Sequence, residues 1–223
     1  METVDNIDYM DPALAYNAES WQALYATCAK LLNYPDRPGV GGDQLTPEVA
    51  QSLPAGSRDG RSYTFTIRRG FRFSPPSNQP VTAQTFKYTI ERTLDPAMKS
   101  PIAHEFANVT GATAYMAGKA PHISGVVAHR TDLTIHLLKP EPDILSKLAQ
   151  PFFCAVPSNT PTQPGGLRVI PSAGPYYVAS YVPTQALVLV RNPNYHGDRP
   201  HRFDRIELKL GVSTKPGSTA RLR

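Results

Sequence analysis

Cysteine is almost absent: Cys28 and Cys154 are the only two in 223 residues. Two cysteines make neither a disulfide framework nor a cysteine-rich zinc site. The expectation for each is a buried free thiol, Cys28 on a helix face and Cys154 in an apolar strand. Long hydrophobic runs are missing too. The longest uninterrupted apolar stretches, Phe152 to Val156 and Ala186 to Val190, are five residues each, far short of the roughly 20 that a membrane-spanning helix needs. The first eleven residues carry Glu2, Asp5, Asp8 and Asp11, with no basic cluster and no apolar segment. No signal peptide is read there.

Surplus charge is confined to one end. Residues 199–223 hold seven Lys/Arg and two Asp/Glu, and the other 198 residues hold 16 of each sign, although the chain's net charge is +5. A nucleic-acid surface needs a basic face that displaces counterions from phosphates. Here there is only a basic end with a Lys215-Pro216-Gly217-Ser218 stretch, so no nucleic-acid partner is expected.

The usual catalytic signatures are also lacking. His104-Glu105 has no second histidine at zincin spacing, and His122, His129, His136, His196 and His201 are scattered. Ser172-Ala173-Gly174-Pro175 lacks the flanking glycines of a nucleophile elbow. Gly39 to Gly42 matches neither a P-loop nor a dinucleotide fingerprint. Glu141, between Pro140 and Pro142, reads as a solvated turn. No catalytic residue, metal site or cofactor is assigned.

What is present describes a folded α+β chain. Hydrophobic residues make up 40% and charged residues 18%, a globular balance. The 23 prolines, about twice the usual share, forecast short elements. Apolar spacing predicts a helix over 19–32 with Asn17 as N-cap. Alternation predicts a strand over 62–67 carrying Tyr63, Phe65 and Ile67 on one face. Thr82 caps a helix running to Leu94, and Asp95-Pro96 ends it. A short helix near 112–117 stops at Gly118, and 124–137 reads as a hairpin turning at Arg130-Thr131-Asp132. Residues 142–149 suit a short helix, and Phe152 to Val156 a buried strand. The Pro/Gly/Thr-rich stretch 157–166 reads as a linker. Three strands follow, at 176–180, 186–191 and 205–210.

One stretch, Asp59-Gly60-Arg61-Ser62-Tyr63-Thr64-Phe65-Thr66-Ile67-Arg68-Arg69-Gly70-Phe71-Arg72-Phe73, adds a resemblance. Followed by Pro80-Val81-Thr82-Ala83 and Tyr88-Thr89-Ile90-Glu91-Arg92, it resembles family 5 extracellular solute-binding proteins, the peptide, dipeptide and nickel receptors of ABC importers. The blocks Asp11-Pro12-Ala13-Leu14, Leu45-Thr46-Pro47-Glu48-Val49-Ala50, Ala173-Gly174-Pro175-Tyr176 and Leu189-Val190-Arg191-Asn192-Pro193-Asn194-Tyr195 resemble further family segments, in the same order. The family's Ser-Asp-Gly turn is replaced by Ser74-Pro75-Pro76-Ser77-Asn78-Gln79.

The resemblance implies a mixed α/β, periplasmic-binding-protein type II-like fold, of which this chain is part of lobe I with its extra subdomain. Residues 1–17 would begin lobe I, 18–166 form the subdomain, and 167–223 a sheet segment of lobe I ending in a helix start at 218–223; lobe II would be absent. It implies a non-enzymatic substrate-binding component, located in the periplasm or at the cell surface on a signal or lipid anchor not present here. That component captures a peptide or similar small molecule and delivers it to a membrane permease, as a monomer when full length. The ligand residues it implies are Tyr16, Asn17, Ala18, Trp21, Ser172, Ala173, Gly174 and Tyr176, with Asn17 and Ser172 supplying polar contacts. The alternatives are a ligand-sensing chemoreceptor relative on the same scaffold, and a small hydrolase, which needs a nucleophile–base pair that the sequence does not assemble.

Overall fold

The structure is a computed structural model that describes residues 7–211. Glu2, Asp5, the basic stretch from Lys215 and the expected helix start at 218–223 lie outside the described residues. The chain begins with a loop fastened by carboxylates. Asp8 Oδ2 accepts from the backbone N–H groups of Tyr16 and Asn17, and Asn17 Oδ1 then accepts from Ser20 N at 2.9 Å to cap α1 (Ala18–Thr27). The expected continuation of α1 to residue 32 does not form. Cys28 turns extended, and residues 30–33 run antiparallel to 46–50, giving the short pair β1 (Leu32–Asn33) and β2 (Thr46–Pro47). The helical spacing of Leu31 and Leu32 is thus overridden by tertiary pairing that buries both.

β3 (Ser62–Thr66) precedes α2 (Ala83–Leu94), which starts and stops where the sequence places it: Thr82 and Thr85 form a reciprocal capping box, and Asp95 leaves the helix. After the one-and-a-half-turn α3 (Ala112–Met116) comes the hairpin β4 (Val126–His129) and β5 (Asp132–His136). β5 is central in the antiparallel order β3-β5-β4. Its Leu133 and Ile135 alternate inward with Phe65 and Val126, onto the face of α2 that carries Phe86, Ile90 and Leu94. α4 (Ile144–Leu148) closes this core. Glu141 is not a solvated turn: Lys147 pairs with it, and Asn108 Nδ2 donates to it at 2.7 Å.

Residues 152–156 are buried as expected but form no strand. Pro151–Phe153 is a 3-10 turn with proline at its start, where the missing N–H is tolerated. The following backbone is held singly, by Ala155 N to Ala29 O and Val156 N to Thr89 Oγ1. Residues 157–166 lie fastened along α2, for the Tyr88 hydroxyl donates to Thr160 O and Arg92 Nε to Pro161 O. Arg92 also makes a two-toothed ion pair with Asp11, both side chains buried, at 2.6 and 2.8 Å.

A second antiparallel sheet, in the order β6-β7-β8, consists of β6 (Tyr176–Val182), β7 (Ala186–Arg191) and β8 (Arg205–Lys209). The β6–β7 turn places Thr184 at φ 62°, and a bulge interrupts the pairing between Val178 and Ser180. The inner face of this sheet, with Tyr176, Val178, Leu187 and Leu189, packs on Ile7, Met10 and Ala23 of the entry loop and α1.

Candidate functional site

The expectation of two free thiols is overturned. Cys28, just past the end of α1, is disulfide-bonded to Cys154, with the Cα atoms 5.2 Å apart across a sequence separation of 126. Both residues are buried as foreseen, and burial is what brings them together: with Ala15 and Leu24 they form one apolar cluster against which Trp21 packs. The signal that was available was an even pair of cysteines in a chain whose resemblance implies an oxidising, extracytoplasmic setting.

The eight expected ligand residues fall at the two ends of α1. At its start, Tyr16 is 69% exposed, Ala18 is exposed, and Asn17 is engaged as the cap. Trp21 is half-buried. Its indole N–H donates to Ala15 O at 2.9 Å, and its ring meets Phe152 edge-on at 5.9 Å.

At the other end, the backbone of 172–174 passes so close to α1 that only glycine fits. A Cβ on Gly174 would stand 2.3 Å from Cys28 O, and Gly174 N donates to Thr27 O. Asn192 Nδ2 donates to the carbonyls of Ser172 and Gly174, while Ser74 Oγ accepts from Ser172 N. Ala173 and Tyr176 are buried, the Tyr176 hydroxyl accepting from Phe203 N. Ala173, Gly174 and Tyr176 therefore position the strand entry, and Ser172 is the half-buried member of the group. Its hydroxyl donates to Ile170 O at 3.2 Å.

Beside the C-terminal half of α1 lies a narrow crevice of about 20 Å³, lined by Leu24, Thr27, the disulfide, Ile170 and, alone among the eight, Ser172. Through Ile170 and Pro171 it adjoins an open apolar groove of about 320 Å³ bounded by Pro76, Pro157, Thr160 and Val169. The sequence reading missed these walls because it treated 157–166 as a tether. The arrangement offers apolar surface and backbone polar groups, with Arg168 the one charged side chain among the lining residues.

Ser62 Oγ and His136 Nδ1 do meet at 2.9 Å, yet as a cross-strand pair on the exposed face of β3 and β5. Among the described residues no group of three or more His, Cys, Asp and Glu is placed to hold a metal ion, and no helix is long and apolar enough to cross a membrane.

Comparison with known proteins agrees with this architecture. Residues 44–222 match the family model for bacterial extracellular solute-binding proteins, family 5 Middle. The periplasmic murein peptide-binding protein MppA of Escherichia coli (strain K12) is 32% identical over 196 residues, covering 83% of this chain and 34% of that protein. The periplasmic oligopeptide-binding protein OppA of the same organism is 30% identical over 162 residues, covering 67% of this chain and 28% of its own length. The chain thus spans about a third of these curated relatives. Among solved structures, clavulanic acid biosynthesis oligopeptide binding protein 2 superposes with a TM-score of 0.83 at 26% identity, over 95% of this chain and 39% of that one. The unliganded open form of the MppA periplasmic murein tripeptide binding protein gives 0.72 at 32% identity, over 86% and 37%. With a family model matched across most of its length and a fold that superposes on these solved structures, the chain belongs to the bacterial extracellular solute-binding proteins of family 5, with part of a periplasmic-binding-protein type II-like fold.

Proposed function

We propose that this chain is part of the substrate-binding component of an ABC importer, capturing peptides outside the cytoplasmic membrane and handing them to a permease. The family match across 44–222 carries this reading. The relatives, periplasmic oligopeptide- and murein peptide-binding proteins, support peptides as the ligand class. In this reading residues 1–17 and 167–223 belong to lobe I and 18–166 to its extra subdomain, and a second lobe closes over the surface beside α1. Closure follows from ligand contacts made better in the closed than in the open arrangement.

Tyr16, Ala18 and Trp21 supply the wall at one end of α1, with Asn17 and Ser172 offering polar groups. The work is non-enzymatic. The disulfide supports an extracytoplasmic location, since such bonds persist in oxidising compartments.

The test is uptake. Deleting the gene from its host, made auxotrophic for one amino acid, should abolish growth on a tripeptide that supplies it while leaving growth on the free amino acid intact. Undiminished growth on a panel of di-, tri- and oligopeptides would overturn the reading.

A further inference from the structure

Five buried side-chain polar atoms lack a hydrogen-bond partner among the described residues, and three of them, Glu48 Oε1, Arg68 Nε and Arg199 Nε, belong to residues lining one cleft. The cleft has a volume of about 430 Å³, within the range of small-molecule sites, and shares no residue with the crevice and groove beside Ser172. We propose that it is a second ligand site, taking a small monocarboxylate with an aromatic body.

The two arginines are held rigidly. Arg199 lies over the rings of Tyr25 and Tyr195, at 5.5 and 6.0 Å, and its terminal nitrogens donate to Tyr25 O and Cys28 O. One of them also stands 2.7 Å from Glu48 Oε1, in an ion pair without hydrogen-bond geometry. Arg68 lies 5.4 Å over Phe71, and Nη2 donates to Glu48 O. Each guanidinium therefore keeps a buried Nε–H without an acceptor, a destabilising state, and Arg68 holds Nη1 for a partner at the cleft, at present Asp198. Glu48 does not satisfy them in this arrangement: its Oε2 accepts from Lys30 N at 2.9 Å, its carbonyl accepts from Arg68, and its Oε1, although paired with Arg199, makes no hydrogen bond.

Charge selects the anion. Arg37, Arg68 and Arg199 line the cleft with Asp36, Glu48 and Asp198, and buried Lys30 stands behind Glu48. Among the lining residues the charges balance, three of each sign, so a carboxylate that takes the place of Asp198 leaves that balance unchanged; the second negative charge of a phosphate would face the remaining carboxylates. Asp198 is only a loose partner for Arg68, at 3.7 Å with its side chain 91% exposed, and a ligand carboxylate readily replaces it. The ligand's body has Tyr25, Tyr34 and Pro35 to lie against, the two tyrosines being partly exposed.

The probe is 4-hydroxyphenylacetate, titrated calorimetrically into the full chain. One-to-one binding with a dissociation constant below about 1 mM is expected, and Arg68→Gln should weaken it by at least about tenfold. The neutral analogue 4-hydroxyphenylacetamide and inorganic phosphate should each bind at least about tenfold more weakly. The proposal is overturned by the absence of saturable binding up to about 10 mM, by equal affinity for the amide, by tighter binding of phosphate, or by an unaffected Arg68→Gln protein. Should Arg68→Gln lose its fold, as circular dichroism would show, the exposed Tyr34→Ala substitution decides: at least about threefold weakening supports the site, and unchanged affinity removes it. None of these outcomes reads peptide uptake, so the two functions succeed or fail separately.

Discussion

The two three-stranded sheets have the same all-antiparallel pairing but are covered differently. β3-β5-β4 lies under α2, and its inner residues join a core reaching from Ala29 to Tyr195 that includes Phe65, Phe86, Phe106, Phe152 and Phe153. Its outer face is polar and self-paired: Thr64 with Thr134, Ser62 with His136, and Thr66 with Asp132, all at 2.8–2.9 Å. β6-β7-β8 has a much smaller cluster beneath it, built from the entry loop and one side of α1. It leaves Val182, Phe203 and Leu208 between 38% and 55% exposed, and among the described residues no strand pairs with its two outer edges. The first sheet is covered more deeply and is bridged on its β3 side at Gly56 and Ala50, although among the described residues no strand pairs with the outer edge of β4. The other is half finished, and exposed apolar surface beside open edges is what a further packing partner would use.

The strongest lever on that contrast is the bond joining the two regions. Cys28 sits where α1 meets the second sheet's cover, and Cys154 belongs to the segment that closes the first core. Replacing both by alanine releases a loop of 126 residues, for which chain entropy gives a loss of about 5 kcal/mol. Urea unfolding of the double variant should show it. A loss under about 1 kcal/mol would mean that the unfolded chain is already restrained there and that packing alone couples the regions.

The next largest effect compares the sheets directly. Phe86→Ala empties a fully buried site above β5 and should cost about 4 kcal/mol. Leu208→Ala on β8, already 38% exposed, should cost about 0.5 kcal/mol or less. Equal losses would erase the distinction between a covered and an uncovered sheet.

These same regions show how much was legible. α2 was readable to the residue because its information is local: a threonine cap, a reciprocal partner three residues on, and Asp95-Pro96 at the end. Both hairpins were readable because alternation and turn residues lie within a few positions. The strand at 152–156 was not, because whether an apolar run joins a ladder depends on a neighbour. Here the backbone of 152–156 meets Ala29 and Thr89 singly. The end of α1 failed for the same reason, since residues 30–33 keep helical spacing but pair with 46–50.

The site divides in the same way. Asn17 as the cap and the glycine turn at 174 follow from sequence, whereas the groove wall at 157–161 is held by Tyr88 and Arg92 of α2, 72 and 69 positions from their partners, and Cys154 pairs with Cys28 across 126.

A smaller effect tests whether the better-covered region is also free of internal cost. Lys30 is buried within it, its ammonium donating to Ala149 O at 2.6 Å. Burial, opposed by Glu48 and reinforced by Arg199, pushes its pKa down from 10.5 to about 8. A folded-state value below the unfolded one means that the native protein surrenders this proton first. Below about pH 8 both states carry the charge, and the native state bears the full cost of burying it. Between about 8 and 10.5 the unfolded chain binds more proton, so stability rises with pH.

Relative to Lys30→Met, which cannot titrate, the native chain should gain about 2 kcal/mol between pH 7 and pH 9.5. Measurement should stop there, because burial raises the phenols of Tyr25, Tyr88 and Tyr195, and that of Tyr115 to about 12. Each of those keeps its proton in the folded state after the unfolded chain has lost it, so above about pH 10 they pull stability down. A wild-type protein whose stability, measured against Lys30→Met, stays flat from pH 7 to 9.5 would show that the Ala149 carbonyl and Glu48 repay the burial of the charge in full. The first core would then contain no conflict of its own, and the thinner apolar cover alone would set the second sheet apart.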